Sequence, residues 1–123
     1  MTPALLATYG IGRAAFGVAL LIAPATAGRL MAGDGATTPD AQAFLHGIGA
    51  RDLGLGIGTL GALRCDRHTR AWLIAGVLAD TGDAAGIARA WRNLDPDKRT
   101  PGLAFAGTAV AAGLTLLAAT AEA

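Results

Sequence analysis

Bulky and charged side chains are both scarce in this chain. A single cysteine, Cys65, excludes a disulfide framework and a cysteine-based metal cage. Charged residues make up only 15% of the sequence and the formal net charge is +1, with arginines interleaved among aspartates, so there is no basic stripe for nucleic acid. The chain is nominally 53% hydrophobic, yet 30 of its 123 residues are alanine and 18 are glycine, while Leu, Ile, Val, Met and Phe together number 31. A soluble domain of this size buries about two thirds of its surface and relies on large side chains worth roughly 1.5–3 kcal/mol each. A water-facing core built from this composition is underpowered. Low charge and a mean hydropathy of +0.46 exclude disorder, which leaves the bilayer as the leading solvent to test. The nine-to-one excess of Arg over Lys, with abundant Ala and Gly, also fits a G+C-rich coding bias. The distribution of charge along the chain is therefore better evidence than composition.

A helix needs about 20 residues to cross roughly 30 Å of hydrocarbon, and four apolar runs have that length. The first extends from Pro3 to about Ala23, contains Arg13 and is ended by Pro24. The second extends from about Ala41 to Leu63, is opened by Thr38-Pro39-Asp40 with Asp40 as N-cap, and carries His46, Arg51 and Asp52. The third, about Arg70 to Trp91, contains Asp80, Asp83 and Arg89; the fourth, about Gly102 to Ala121, has no charge. Runs this long without alternation read as helices. The segments Arg64–Arg70 and Arg92–Pro101 are polar connections, and Arg29-Leu30-Met31 in the first connection suits an interfacial turn. Trp72 and Trp91 stand 19 residues apart, about 28 Å along a helix, which matches two membrane boundaries. A cleaved secretory leader is disfavoured, because no Lys or Arg precedes the first apolar run and Arg13 interrupts it.

Glycine has a role in such a protein. Gly47, Ala50, Gly54, Gly58 and Gly61 recur at intervals of three or four and form a candidate packing stripe on the second helix, with Gly10, Gly17 and Gly76 extending it to other helices. The charges within the spans are the informative minority, since one at mid-membrane costs roughly 2.5–3.5 kcal/mol and normally faces the interior and pairs. Arg51 to Asp80 or Asp83 is the expected interhelical contact, with Arg13 as second cation; Arg51 and Asp52, about 100° apart on the helix, need not pair with each other. Two readings of Arg13, Arg51, Asp52, Asp80 and Asp83 stand. One is a structural ion network that fixes helix arrangement. The other is a polar catalytic site in which a carboxylate acts as acid or base and an arginine orients the substrate. An unpaired third carboxylate would favour the second.

Weaker motifs carry less. Asp80-Thr81-Gly82-Asp83 has the beginning of the acidic motif of membrane CDP-alcohol phosphotransferases, but the fourth span lacks the two further aspartates. Gly54–Thr59 has the glycines of a phosphate loop without its lysine or strand, His46 and Asp52 lack the spacing of a metal pair, and His68 and Cys65 lie in a polar turn.

At Gly49-Ala50-Arg51-Asp52-Leu53-Gly54-Leu55-Gly56 the chain resembles a family of small, uncharacterised four-span membrane proteins of bacteria and fungi, which carry Gly-x-Arg-Asp-Leu in the second helix and are DoxX-like in general form. Arg13, Pro24, Asp80 and Asp83-Ala84 extend the resemblance. It implies a multi-pass protein of the cell membrane and supplies no reaction, cofactor or binding residue. The expectation is a single all-α domain over residues 1–123, a four-helix transmembrane bundle with no cofactor or metal. Its expected partners are the lipid bilayer, a second copy of the chain or a lipophilic small molecule, and not nucleic acid. Three functions are consistent with it: a non-catalytic membrane protein; an isomerase, cyclase or epoxide-opening hydrolase for a lipophilic substrate; and a proton-linked transport component. A soluble four-helix bundle is the alternative fold. The positive-inside rule gives no clear orientation, with Arg64, Arg67 and Arg70 on one side and Arg29, Arg92, Lys98 and Arg99 on the other.

Overall fold

Prolines set most of the helix starts, because a first-turn residue needs no intrahelical N–H bond and proline's fixed φ already suits the helix. The computed structural model describes residues 3–65 and 67–120, and is all-α, with no strand among the described residues. Five helices follow in order: α1 (Pro3–Ile22), α2 (Pro24–Ala32), α3 (Pro39–Cys65), α4 (Thr69–Ala90) and α5 (Pro96–Ala119). Short 3-10 turns at Asp34–Thr37 and Trp91–Asn93 precede α3 and α5. Asp66 in the second connection and Ala121 at the end of the fourth expected span lie outside the described residues.

Several boundaries differ from expectation for local reasons. Pro24 does end α1, but it also opens the nine-residue α2, so the expected interfacial turn is helical. Thr38, rather than Asp40, caps α3: its hydroxyl accepts from the Ala41 N–H at 3.3 Å, while Asp40 lies within the first turn. The fourth helix begins six residues early because Asp95 accepts from the Asp97 N–H at 3.0 Å and Pro96 follows as first helical residue. Pro101 is accommodated inside α5.

Helix α1, α4 with its following turn (Thr69–Asn93), and α5 are long and apolar enough to cross a membrane. The 27-residue α3 is long enough, but Arg51, Asp52, His46 and its glycines hold its hydropathy down. Arg13, Asp52, Thr59 and Asp80 are buried together with Leu6, Leu20, Leu55, Leu73 and Leu116, whereas Leu5, Ile11, Ile22, Ile57, Leu78, Phe105 and Leu114 are exposed.

Buried residues on α1 are Leu6, Gly10, Arg13, Gly17 and Leu20, alternating steps of four and three along one narrow seam. That seam lies antiparallel on α3, with Gly17 against Gly49 and Leu53, and Gly10 against Gly56 and Leu60. A Cβ at Gly56 would stand 2.6 Å from both the Ala14 nitrogen and the Gly10 carbonyl oxygen, so the two backbones touch. The expected stripe is thus displaced around the helix: Gly49 and Gly56 make the contact, while Gly47, Gly54 and Gly61 face open space and Gly58 meets the Trp72 ring of α4. Gly10, Gly17 and Gly76 do lie at close approaches. Leu6, Leu73 and Leu116 join α1, α4 and α5 in an apolar cluster, and Phe16 meets Phe105 with ring centroids 5.4 Å apart. Arg70 ties the start of α4 to the end of α5 by donating to the Leu117 carbonyl at 3.1 Å and the Thr120 hydroxyl at 3.2 Å.

Gly56→Ala should destabilise the protein by roughly 1–3 kcal/mol, because neither backbone can yield locally. Gly12→Ala, where an added Cβ meets nothing within 4 Å, should stabilise it by up to about 1 kcal/mol through helix propensity. Denaturation in detergent micelles measures both, and equal effects would show that α1 and α3 do not pack this closely.

Candidate functional site

The five charged residues singled out in the spans converge at mid-height of the helices. Arg13, Asp52 and Asp80 sit near the middle of α1, α3 and α4 respectively, about 14–20 Å from either helix end at ~1.5 Å per residue. Arg13 is the centre. Its Nη2 donates to Asp52 Oδ1 at 2.5 Å and its Nη1 to Asp80 Oδ2 at 2.7 Å, and the three side chains are only 7%, 5% and 7% exposed. Short charge-assisted bonds of this kind are the strong ones. The α1–α3 glycine seam makes the geometry reachable, since Gly10 and Gly17 flank Arg13 while Gly49 and Gly56 flank Asp52.

Arg51 forms the second half of the network. Its Nη1 and Nη2 donate to Asp83 Oδ1 and Oδ2 at 3.0 and 2.7 Å, the bidentate fork that a planar guanidinium favours. The expected Arg51–Asp83 contact is present. Arg51 also pairs with its neighbour Asp52, from Nη2 at 2.8 Å and Nε at 3.3 Å. This corrects the angular argument against that contact, because a long side chain can curl back across the 100° separating adjacent Cβ directions. Asp80 goes to Arg13 instead. Asp52 therefore bridges both cations, one through each oxygen. Unlike the sealed Arg13 half, the Arg51 and Asp83 side chains are 31% and 35% exposed.

Tyr9 belongs to the site and was not singled out from sequence. Its hydroxyl accepts from Arg13 Nη1 at 3.0 Å, and the Arg13 guanidinium carbon lies 5.6 Å from its ring centroid. The available signal was positional: Tyr9 and Arg13 are four apart and share a helix face. The Tyr9 hydroxyl also fits over Gly76 of α4, where an added Cβ would come within 2.6 Å of it. Arg13 Nε is buried and finds no acceptor among the described residues.

The remaining candidates lie apart from this centre. His46 Nδ1 donates to the Gln42 carbonyl at 2.8 Å on an exposed face. His68 caps α4 from the left-handed region at φ 64°, and Cys65 is a free, exposed thiol at the end of α3. Among the described residues, no group of three His, Cys, Asp or Glu side chains is placed to hold a metal ion. Two open hollows lie at the helix ends, one beside Asp34 and Asp95 and the other beside Cys65, His68 and Trp72, away from the ion network. Comparison with protein-family models, with curated proteins and with solved structures finds no match to this chain.

Removing Arg13 leaves buried Asp80 without a cation and Asp52 with Arg51 alone, so Arg13→Gln should cost about 3–5 kcal/mol of stability. Removing Arg51 leaves both Asp52 and Asp80 held by Arg13 and strands only the partly exposed Asp83, so Arg51→Gln should cost less than Arg13→Gln. Unfolding titrations of both variants in micelles give the comparison; a larger loss for Arg51→Gln would overturn the assignment of Arg13 as the centre.

Proposed function

We propose that this protein is a multi-pass protein of the cell membrane, a four-helix transmembrane bundle formed by α1, α3, α4 and α5, and that its ion network is a lock on helix arrangement, not a catalytic centre. The burial pattern carries this reading: three charges buried at the centre and many large Leu, Ile and Phe side chains exposed on the outside suit lipid as solvent. Thr8, Thr59, Thr81 and Thr115 return their hydroxyls to the carbonyl four residues earlier, which satisfies them without water. Helix α3 enters hydrocarbon in spite of its charges because those charges are paired with neighbouring helices. The resemblance around Gly49–Gly56 to small four-span membrane proteins is part of the same reading.

The lock is favoured over catalysis by the state of the carboxylates. Each of Asp52, Asp80 and Asp83 accepts from a guanidinium, so none is an unpaired acid or base. One observation supports the second reading, a small membrane-embedded isomerase, cyclase or epoxide-opening hydrolase: the partly exposed Asp83 with Arg51 beside it is reachable from outside the bundle.

The protein should remain with membranes through alkaline carbonate washing and require detergent for release; recovery in a detergent-free soluble fraction would sink the membrane reading. Asp80→Asn should lower the amount of folded protein in proportion to any loss of phenotype, as a lock requires. For the enzymatic reading, reconstituted protein is offered a lipophilic terminal epoxide and water addition to the diol is followed. Turnover that Asp83→Asn abolishes without loss of folded protein would establish that reading over the lock.

A further inference from the structure

The network is sealed on one side and open on the other. Asp83 lies one helical turn from Asp80, about 4.5 Å along α4, so the Arg51–Asp83 pair is also near mid-height. If the helices cross a bilayer as proposed above, that pair stands a third exposed where charge is most costly, and its open side must be covered. The surrounding surface admits close approach. Added Cβ atoms at Gly47 and Gly54 of α3, and at Gly82 and Gly86 of α4, would meet nothing within 4 Å, so a helix backbone could come near the α3/α4 groove at those points.

The chemistry of the pair identifies the occupant. A guanidinium has five N–H bonds. Four of those on Arg51 are used, by Nε and Nη2 on Asp52 and by Nη1 and Nη2 on Asp83, which leaves one Nη1 hydrogen free beside the Asp83 oxygens. A free donor adjacent to a carboxylate is self-complementary under two-fold rotation: the Nη1 of one copy can meet Asp83 of the partner subunit, and the reverse contact follows by symmetry. We propose that a second copy of this chain covers the α3/α4 groove, with Arg51 and Asp83 at the centre of an isologous interface. The inference rests on the membrane reading and goes beyond it.

Sedimentation equilibrium of the full-length protein in density-matched detergent micelles tests it without a label. The expected result is a reversible dimer whose association constant falls at least about tenfold in Gly54→Leu and in Gly82→Leu. Both substitutions fill space that is open in the single chain. Gly12→Leu, equally open but on α1, should leave the constant unchanged. A protein that needs detergent yet stays monomeric overturns the dimer alone. A protein soluble without detergent overturns the membrane reading beneath it. A dimer indifferent to both groove substitutions overturns the assignment of this surface.

Discussion

One guanidinium held between carboxylates of two other helices sets the arrangement of this molecule. Arg13 bonds Asp52 of α3 and Asp80 of α4, and the packing around it makes both bonds reachable. Ordinary helix pairs lie 8–10 Å apart. Here glycine faces backbone on both sides of the α1–α3 contact, which draws the axes together. The glycines and the charges are a single device. Glycine alone would permit several registers, because a small-residue seam has little to distinguish one turn from the next. The ion pair distinguishes them: sliding α1 by one turn would bring Gly10 or Gly17 to the level of Asp52, leaving buried Asp80 without a cation and Asp52 with Arg51 alone. Such a mismatch costs about 3–5 kcal/mol, which selects one register among otherwise similar ones.

The proposed membrane setting accounts for the many large apolar residues that face outward. Between helices in lipid, burial of leucine gains little, since the hydrocarbon is equally apolar. Large apolar side chains are then most useful on the surface, where Ile11, Leu78 and Leu114 are found. Their one interior cluster, Leu6, Leu73 and Leu116, lies toward one end, away from the charges. An underpowered soluble core and a well-packed polar-centred bundle are two descriptions of one composition.

Much of this was legible in sequence, and what was not has a common cause. Run length and sparse charge indicated the four long helices, and the location of charges within them indicated all five ionic members of the network. Face assignment failed on α3. Its glycines point in several directions, so periodicity alone offered a stripe through Gly47, Gly54 and Gly61 as readily as one through Gly49 and Gly56. The choice is made by α1, where Gly17 meets Gly49, Gly10 meets Gly56 and Arg13 between them meets Asp52. That match lies between segments, and a reading of one helix at a time does not contain it. Tyr9 was missed for a related reason: an aromatic residue near a helix end reads as an apolar surface until its partner on the next turn is known to be central. The early start of α5 is different, a local signal in Asp95-Pro96 outweighed by the polar character of the segment that follows.

The two halves of the network constrain what else the protein can do. Asp52 accepts a cation on each oxygen and is sealed among helices, and Asp80 is equally enclosed. A general acid or base must exchange its proton with a reactant within hydrogen-bond reach. Neither of these carboxylates has that access without the helices separating, which would dissolve the lock that positions them. Asp83 and Arg51 differ because their exposed edge can meet another molecule while Arg13 still holds Asp52 and Asp80. Within the network, the α3/α4 edge is therefore the part open to another molecule.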